Sequence, residues 1–180
     1  MRLPIKTAAL AGTLACVIAG ASVALAAGSS GKPAGGPIQF LVAPGQNQGG
    51  GKIIFTGAVG DYGSSSPTTA SGGKQYGTAT LKKGTLKIDL TAISAKVASA
   101  KPAINPSTCS VWLTETAPAQ VVSGTGLYAG IHGTVQITES FAFIGATYTS
   151  GAKKGQCNMS ANAPTVAEMG TVYGSGSVSF

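Results

Sequence analysis

Residues 133–143 read Gly-Thr-Val-Gln-Ile-Thr-Glu-Ser-Phe-Ala-Phe, and their alternation decides the fold class. Val135, Ile137, Phe141 and Phe143 hold the odd positions, while Thr134, Gln136, Thr138 and Ser140 hold the even ones. A period of two places the first set on one face of a β-strand and the second on the other, so one face is interior. Glu139 falls on the apolar face. The stretch Cys109–Thr116 repeats the arrangement: Val111 and Leu113 share a face with Glu115, and Ser110, Thr114 and Thr116 turn away together with Trp112.

Further strand signals lie on both sides. Pro37–Val42, Lys52–Val59, Tyr76–Lys82, Thr85–Thr91, Ala119–Ser123 and Gly170–Phe180 are alternating or β-branched runs punctuated by Gly and Pro. Lys83-Gly84 reads as a bulge in one long bent strand, with a hairpin turn as the alternative. The single helix candidate is Ala92–Ala100, which reads equally as a loop crossing one end of a sheet. Residues 145–169 read as long loops pinned at Cys157. About eight strands with little helix predict an all-β fold, an antiparallel β-barrel, with a β-sandwich as the alternative.

The N-terminus carries an export signal. Arg2 and Lys6 precede an apolar stretch, Ala8–Leu25, and Ala24-Leu25-Ala26 supplies the small-x-small pattern of a cleavage site. The alternative is an uncleaved membrane anchor, since roughly 18–20 apolar residues span a bilayer. The run is mostly Ala, Gly, Val and Thr, and no stop-transfer charges follow it. Cys16 is a poor lipid-acceptor site because the apolar run continues past it. Residues 1–26 are therefore expected to be a signal peptide and 27–37 a flexible Gly/Pro/Ser leader, with the folded domain spanning 38–180. The expected location is secreted. In an oxidising compartment Cys109 and Cys157, the two cysteines beyond the signal, are expected to form a disulfide.

Charge narrows the partners. Of the chain's 12 basic residues, Arg2 and Lys6 lie in the signal, which leaves ten lysines and no arginine against five carboxylates. The lysines are scattered singly or in pairs. Without Arg there is no bidentate fork for phosphate or guanine, which argues against specific nucleic-acid recognition and leaves an anionic cell envelope as a partner. No His or carboxylate lies at ligand spacing from either cysteine, so neither a metal nor a cofactor is expected.

Several motifs reduce to structural readings. Gly124-Thr-Gly126-Leu-Tyr-Ala129 matches the dinucleotide fingerprint G-x-G-x-x-A, yet it leads into a strand where the fingerprint needs a helix. Its glycines instead suit a tight connection with positive φ. His132 has no nucleophile motif beside it and reads as a surface turn residue. Asp61-Tyr62 reads as a turn in which Asp61 accepts from nearby backbone N–H groups. Trp112 is a candidate for an exposed contact. Glu115 and Glu139 remain as the sharpest constellation. A carboxyl on an apolar face is costly to ionise, as suits a general acid or base or a ligand's polar anchor. The structural alternative places each at a strand end, where the interior opens to water.

The segment Gly124-Thr-Gly-Leu-Tyr-Ala-Gly-Ile-His-Gly-Thr-Val135 resembles the Gly-rich hairpin of the dirigent and allene oxide cyclase-like barrels. Phe55-Thr-Gly-Ala-Val-Gly-Asp-Tyr-Gly63 and Gly174-Ser-Gly-Ser-Val-Ser-Phe180 are similar to segments of exported bacterial proteins of unknown function. The resemblance implies an eight-stranded barrel that takes a hydrophobic small molecule inside, and in some members steers radical coupling or cyclisation. Those activities depend in dirigent proteins on cavity-lining Arg and Asp. The chain beyond its signal has no Arg, and neither Asp61 nor Asp89 aligns to those positions, so no catalytic residue carries over.

The leading expectation is a secreted barrel that binds a small apolar or amphipathic ligand among Glu115, Glu139, Phe141, Phe143, Val111 and Leu113. An isomerase- or cyclase-type enzyme using an interior glutamate is the second expectation. A cell-envelope or adhesive protein without catalysis is the third. An interior filled with Leu and Phe favours the last, and an open cavity holding the glutamates favours the first two.

Overall fold

The computed structural model describes residues 33–44, 50–66, 69–158, 160 and 162–180. The predicted signal peptide, Cys16 and most of the leader lie outside the described residues. The strands are β1 (Gly36–Pro44), β2 (Gly51–Gly57), β3 (Asp61–Ser65), β4 (Thr69–Ser71), β5 (Lys74–Leu81) and β6 (Gly84–Asp89). Helix α1 (Thr91–Ser99) follows, then β7 (Ala103–Asn105), β8 (Ser110–Gly124), β9 (His132–Gly145) and β10 (Thr165–Ser179). Eight of them pair antiparallel in the order β3-β2-β1-β10-β9-β8-β6-β5, and β3 pairs with β5 to close the ring. The fold is a closed eight-stranded antiparallel barrel, and the sandwich alternative falls. The two short strands β4 and β7 extend the ladders of β5 and β8.

The alternation read from residues 133–143 sets the interior. Val135 and Ile137 are fully buried, as are Ile38, Phe55 and Leu86 on other strands. At Gly174 the absence of a side chain is a packing requirement, because a Cβ there would lie 2.2 Å from the Phe40 ring that crosses it. Eight strands enclose just enough width for side chains or one small ligand, so the distribution of large and small residues along the barrel decides which end is solid.

Four expectations are corrected. Residues 74–89 are not one bent strand: Leu81 pairs with Gly84 across a two-residue Lys82-Lys83 loop, making a hairpin. The buried positions shift from odd (Ala79, Leu81) to even (Leu86, Ile88) across this loop. A one-residue bulge and a two-residue turn produce the same shift, and only closure of the ring distinguishes them. Cys109–Thr116 and Ala119–Ser123 are one continuous strand, β8, despite Pro118. That proline sits where β8 has no strand on its outer edge, between the pairings with β7 and β6, and there a missing N–H is tolerated. Strand β10 begins at Thr165 rather than Gly170, which shortens the loop expected before it. Asp61-Tyr62, read as a turn, instead opens the closing strand β3; Asp61 still accepts the backbone N–H groups of Tyr62 and Lys83, at 2.8 and 3.0 Å.

Of the two readings of Ala92–Ala100, helix or crossing loop, the helix forms, as α1 over Thr91–Ser99. Its start is held by Asp89, which accepts from the Thr91 backbone N–H at 3.0 Å and from the Thr91 hydroxyl. The Thr91 Oγ1 in turn accepts the Gln75 N–H at 3.0 Å, tying the helix to β5. Ile93 and Val97, four residues apart, point the same way into the core. Pro102 precludes continuation. Strand β6 ends at Asp89 while β8 runs on to Ser110, and α1 packs against β8 along that gap.

Cys109 and Cys157 are bonded, 48 positions apart in sequence and with Cα atoms 5.3 Å apart. The bond fastens the loop between β9 and β10 to the start of β8, next to a bridge pairing Thr147 with Cys157. In the chain-entropy account such a cross-link stabilises by about 4 kcal/mol. The disulfide is consistent with an extracellular location. Among the described residues no helix is long and apolar enough to cross a membrane.

Candidate functional site: the open end of the barrel

One end of the barrel is sealed. The Gly-rich connection between β8 and β9 folds as a 3-10 turn, Gly126–Tyr128, made possible by Gly126 at φ 62°. It drives Tyr128 wholly into the interior alongside Ile131. There the Tyr128 hydroxyl donates to Asp61 Oδ2 at 2.7 Å. Burial pushes Asp61 up, but the hydrogen bonds from Tyr128, Tyr62 and Lys83, together with the Lys83 charge, outweigh it and hold the carboxyl below its ordinary range. Burial and the Asp61 carboxylate push the Tyr128 hydroxyl well above its ordinary range.

The opposite end is open. A cavity of about 890 Å³ enters between the starts of β2 and β5 and the middle of β9 and β10, walled by Phe40, Ile53, Ala79, Ile88, Ile137 and Phe141. Ile93 of α1 completes the wall where β6 has ended. The interior side of β9 brings Glu139 to this cavity. Glu139 is half-buried, accepts no hydrogen bond among the described residues, and burial raises its pKa.

Glu115 and Glu139 are directly opposite each other in the β8–β9 ladder. Side chains so paired lie within about 4.5–5.5 Å at Cβ, where two like charges oppose one another. The structure thus brings together the two glutamates singled out from alternation, although Glu139 alone of the pair lines the cavity. Phe141 lines it too and stacks at a tilt on Phe143, with ring centroids 5.7 Å apart. Val111 and Phe143 lie higher, beside a second depression near the disulfide, and Leu113 is half-buried on the same interior face without lining either space.

Other positions fall elsewhere. His132 is exposed, its Nδ1 3.1 Å from the Gly130 carbonyl, which suits a turn residue. Trp112 is exposed on the outer surface, and its indole N–H donates to Thr114 Oγ1 at 3.0 Å. Sequence reasoning missed Glu168, which pairs with Phe143 and lies at the rim of the cavity. Extending the alternation of β10 back past Gly170 would have found it. It also missed the cavity wall supplied by α1 and by Ile88, because nothing local says where a strand stops short of its neighbour.

Among the described residues no group of three or more His, Cys, Asp or Glu side chains is arranged to hold a metal ion. The arrangement offers a largely apolar chamber with a half-buried carboxyl whose pKa burial raises. Such a group donates a hydrogen bond when protonated and accepts a proton when ionised. Comparison of the chain with models of protein families, with curated proteins and with solved structures finds no match, so the functional reading rests on this geometry.

Proposed function

We propose that the protein is an exported carrier that binds a small apolar or amphipathic molecule in the open half of its barrel. The observation that carries this reading is the cavity of about 890 Å³, walled by aliphatic and aromatic side chains and holding a half-buried glutamate. A site of that volume and lining matches the ordinary range for small-molecule pockets, in which a few polar groups orient an otherwise apolar ligand. Glu139 serves as the anchor: its carboxyl donates to a ligand oxygen when protonated and accepts from a ligand hydroxyl when ionised. The disulfide suits an oxidising, extracytoplasmic setting.

The test uses N-phenyl-1-naphthylamine, a neutral apolar fluorophore, with native mass spectrometry of protein purified from its culture medium. Enhanced fluorescence on titration, or a co-purified small molecule, supports the carrier. Val172 faces the cavity next to Glu139 in register, and Val172→Trp should fill the space and abolish the enhancement. Absence of both signals in the wild type, or undiminished binding in Val172→Trp, would defeat the reading.

The paired glutamates favour a second reading, an isomerase- or cyclase-type enzyme. Two carboxyls in direct cross-strand register differ in environment, and such a pair can split the roles of acid and base. Turnover of a bound molecule that is lost in Glu139→Gln while binding persists distinguishes the enzyme from the carrier.

A further inference from the structure

The outer surface of β8, β9 and β10 changes character along its length. Toward the middle of the barrel its rows carry hydroxyls: Thr116, Thr138 and Tyr173, then Thr114, Ser140 and Thr171. Hydroxyls bridge these rows, at 2.8 Å between Thr116 and Thr138 and 3.1 Å between Thr114 and Ser140. At the open end the next row is apolar, Ala103, Trp112, Ala142 and Met169, and the row beyond it is mixed, Asn105 and Ser110 beside Ile144 and Ala167. Val166 stands out at the bulge in β10. Trp112, Val166 and Met169 are 66, 71 and 73 % exposed, far beyond what isolated surface hydrophobics need. Trp112 and Met169 line a groove of about 750 Å³ that reaches over the open end to Val111 and Phe143, and Val166 adjoins it in sequence through Ala167.

We propose that this groove docks the protein on an anionic lipid surface. Three observations select that occupant. First, the groove is lined mostly by apolar side chains, and of its polar groups the Trp112 indole N–H, the Asn105 Oδ1 and the Ser110 hydroxyl are already bonded to Thr114, Ser107 and Thr108, which leaves Glu168 at the side shared with the barrel cavity. A peptide or a defined ligand requires directional partners, whereas acyl chains do not. Second, the segments that adjoin the patch in sequence carry lysines. The loop that leaves β9 at Gly145 carries Lys153 and Lys154, and Lys101 stands two residues before Ala103 of β7, all three exposed. Each lysine near an anionic surface contributes attraction of about fivefold in affinity. Tryptophan with basic neighbours is also the combination that settles at a lipid interface. Third, Glu168 and Met169 line both the groove and the barrel cavity, so a surface seated on the groove lies at the cavity mouth. The docking does not depend on the cavity holding a ligand.

Trp112 is the chain's sole tryptophan and therefore reports directly. Vesicles of phosphatidylglycerol and phosphatidylcholine in equal parts should shift its emission to the blue and carry the protein down on sedimentation, with binding weakened by salt. Val166→Ser with Met169→Ser should cut the affinity about tenfold or more, from the apolar area lost. Lys153→Glu with Lys154→Glu should cut it by a similar factor or more. Circular dichroism and Tm check that these exposed substitutions leave the fold intact. Glu139→Gln and Val172→Trp should leave vesicle binding unchanged, which separates this proposal from the carrier reading. The proposal is overturned by an unshifted Trp112 with these vesicles or by equal binding to pure phosphatidylcholine. It is also overturned by wild-type binding in the Val166/Met169 variant, or by a Trp112 shift that tracks self-association without lipid.

Discussion

The two ends of the barrel are built from the same strands and each places an acidic side chain on the interior, yet they handle the charge in opposite ways. At the sealed end Asp61 accepts three hydrogen bonds, one from a fully buried tyrosine, and its carboxylate form is favoured. At the open end Glu139 accepts none among the described residues, and burial favours its neutral form. The contrast separates a carboxylate that serves architecture from a carboxyl left available to something outside the chain. A charge bonded within the chain is part of the wall, and a carboxyl at a cavity without a partner among the described residues is open to a ligand.

The largest expected effect strikes the sealed end. Tyr128→Ala removes a wholly buried aromatic and strips Asp61 of its phenolic donor, so stability should fall by about 3–5 kcal/mol in urea denaturation. Tyr128→Phe keeps the ring and loses only the hydroxyl, for a loss of about 1–3 kcal/mol. Should Tyr128→Phe match the wild type, the sealed end is held by packing alone and the contrast weakens. Replacing both cysteines by serine comes next, with an expected loss of about 2–4 kcal/mol. That loss should leave the sealed end's amide exchange protection largely intact, because the disulfide fastens the opposite end.

Opposite pH dependences give a sharper test. Asp61 has a folded pKa below its unfolded value, so its contribution is present above the unfolded pKa and is lost as pH falls through the folded one. Glu139 has a folded pKa above its unfolded value. Its contribution is full below the unfolded pKa and disappears as pH rises through the folded one. Urea midpoints of Tyr128→Phe should therefore approach the wild type on acidification, and those of Glu139→Gln should gain on the wild type as pH rises from the unfolded glutamate pKa, about 4.3, through the raised folded one. Parallel curves for Glu139→Gln and the wild type would show that Glu139 is solvated like an ordinary strand-end residue.

The smallest effect belongs to Asp89, whose pKa is lowered to about 2 by the Thr91 hydroxyl and N–H and by Lys74, 3.0 Å away. Asp89→Asn should fray only the first turn of α1, visible as faster amide exchange there with Tm nearly unchanged. A larger response would mean that α1 supports the whole open end.

Much of the barrel was legible because a half-buried strand must alternate. Val135 through Phe143 and Val111 through Glu115 declared their interior faces, and with them the two glutamates, without any knowledge of their neighbours. The hairpin at Lys82-Lys83 was not legible, since a bulge changes the parity of buried positions in the same way. Nor was the seal, because Tyr128 and Asp61 are 67 residues apart in sequence and meet only when the ring closes.

What the amino-acid order determined by itself was the class of strand, the side of each strand that faces inward, and the pair of cysteines available to bond. These are properties of short windows, fixed by pleat geometry and by the chemistry of single residues. Only the tertiary structure decided which end is solid and which is open. Closure of the ring sets Tyr128 over Asp61 at one end, and at the other it leaves β6 short beside a longer β8, with α1 as a wall and Glu139 facing a cavity. Burial and hydrogen bonding depend on what arrives from across the barrel, so the fate of each carboxyl is a property of the assembled fold.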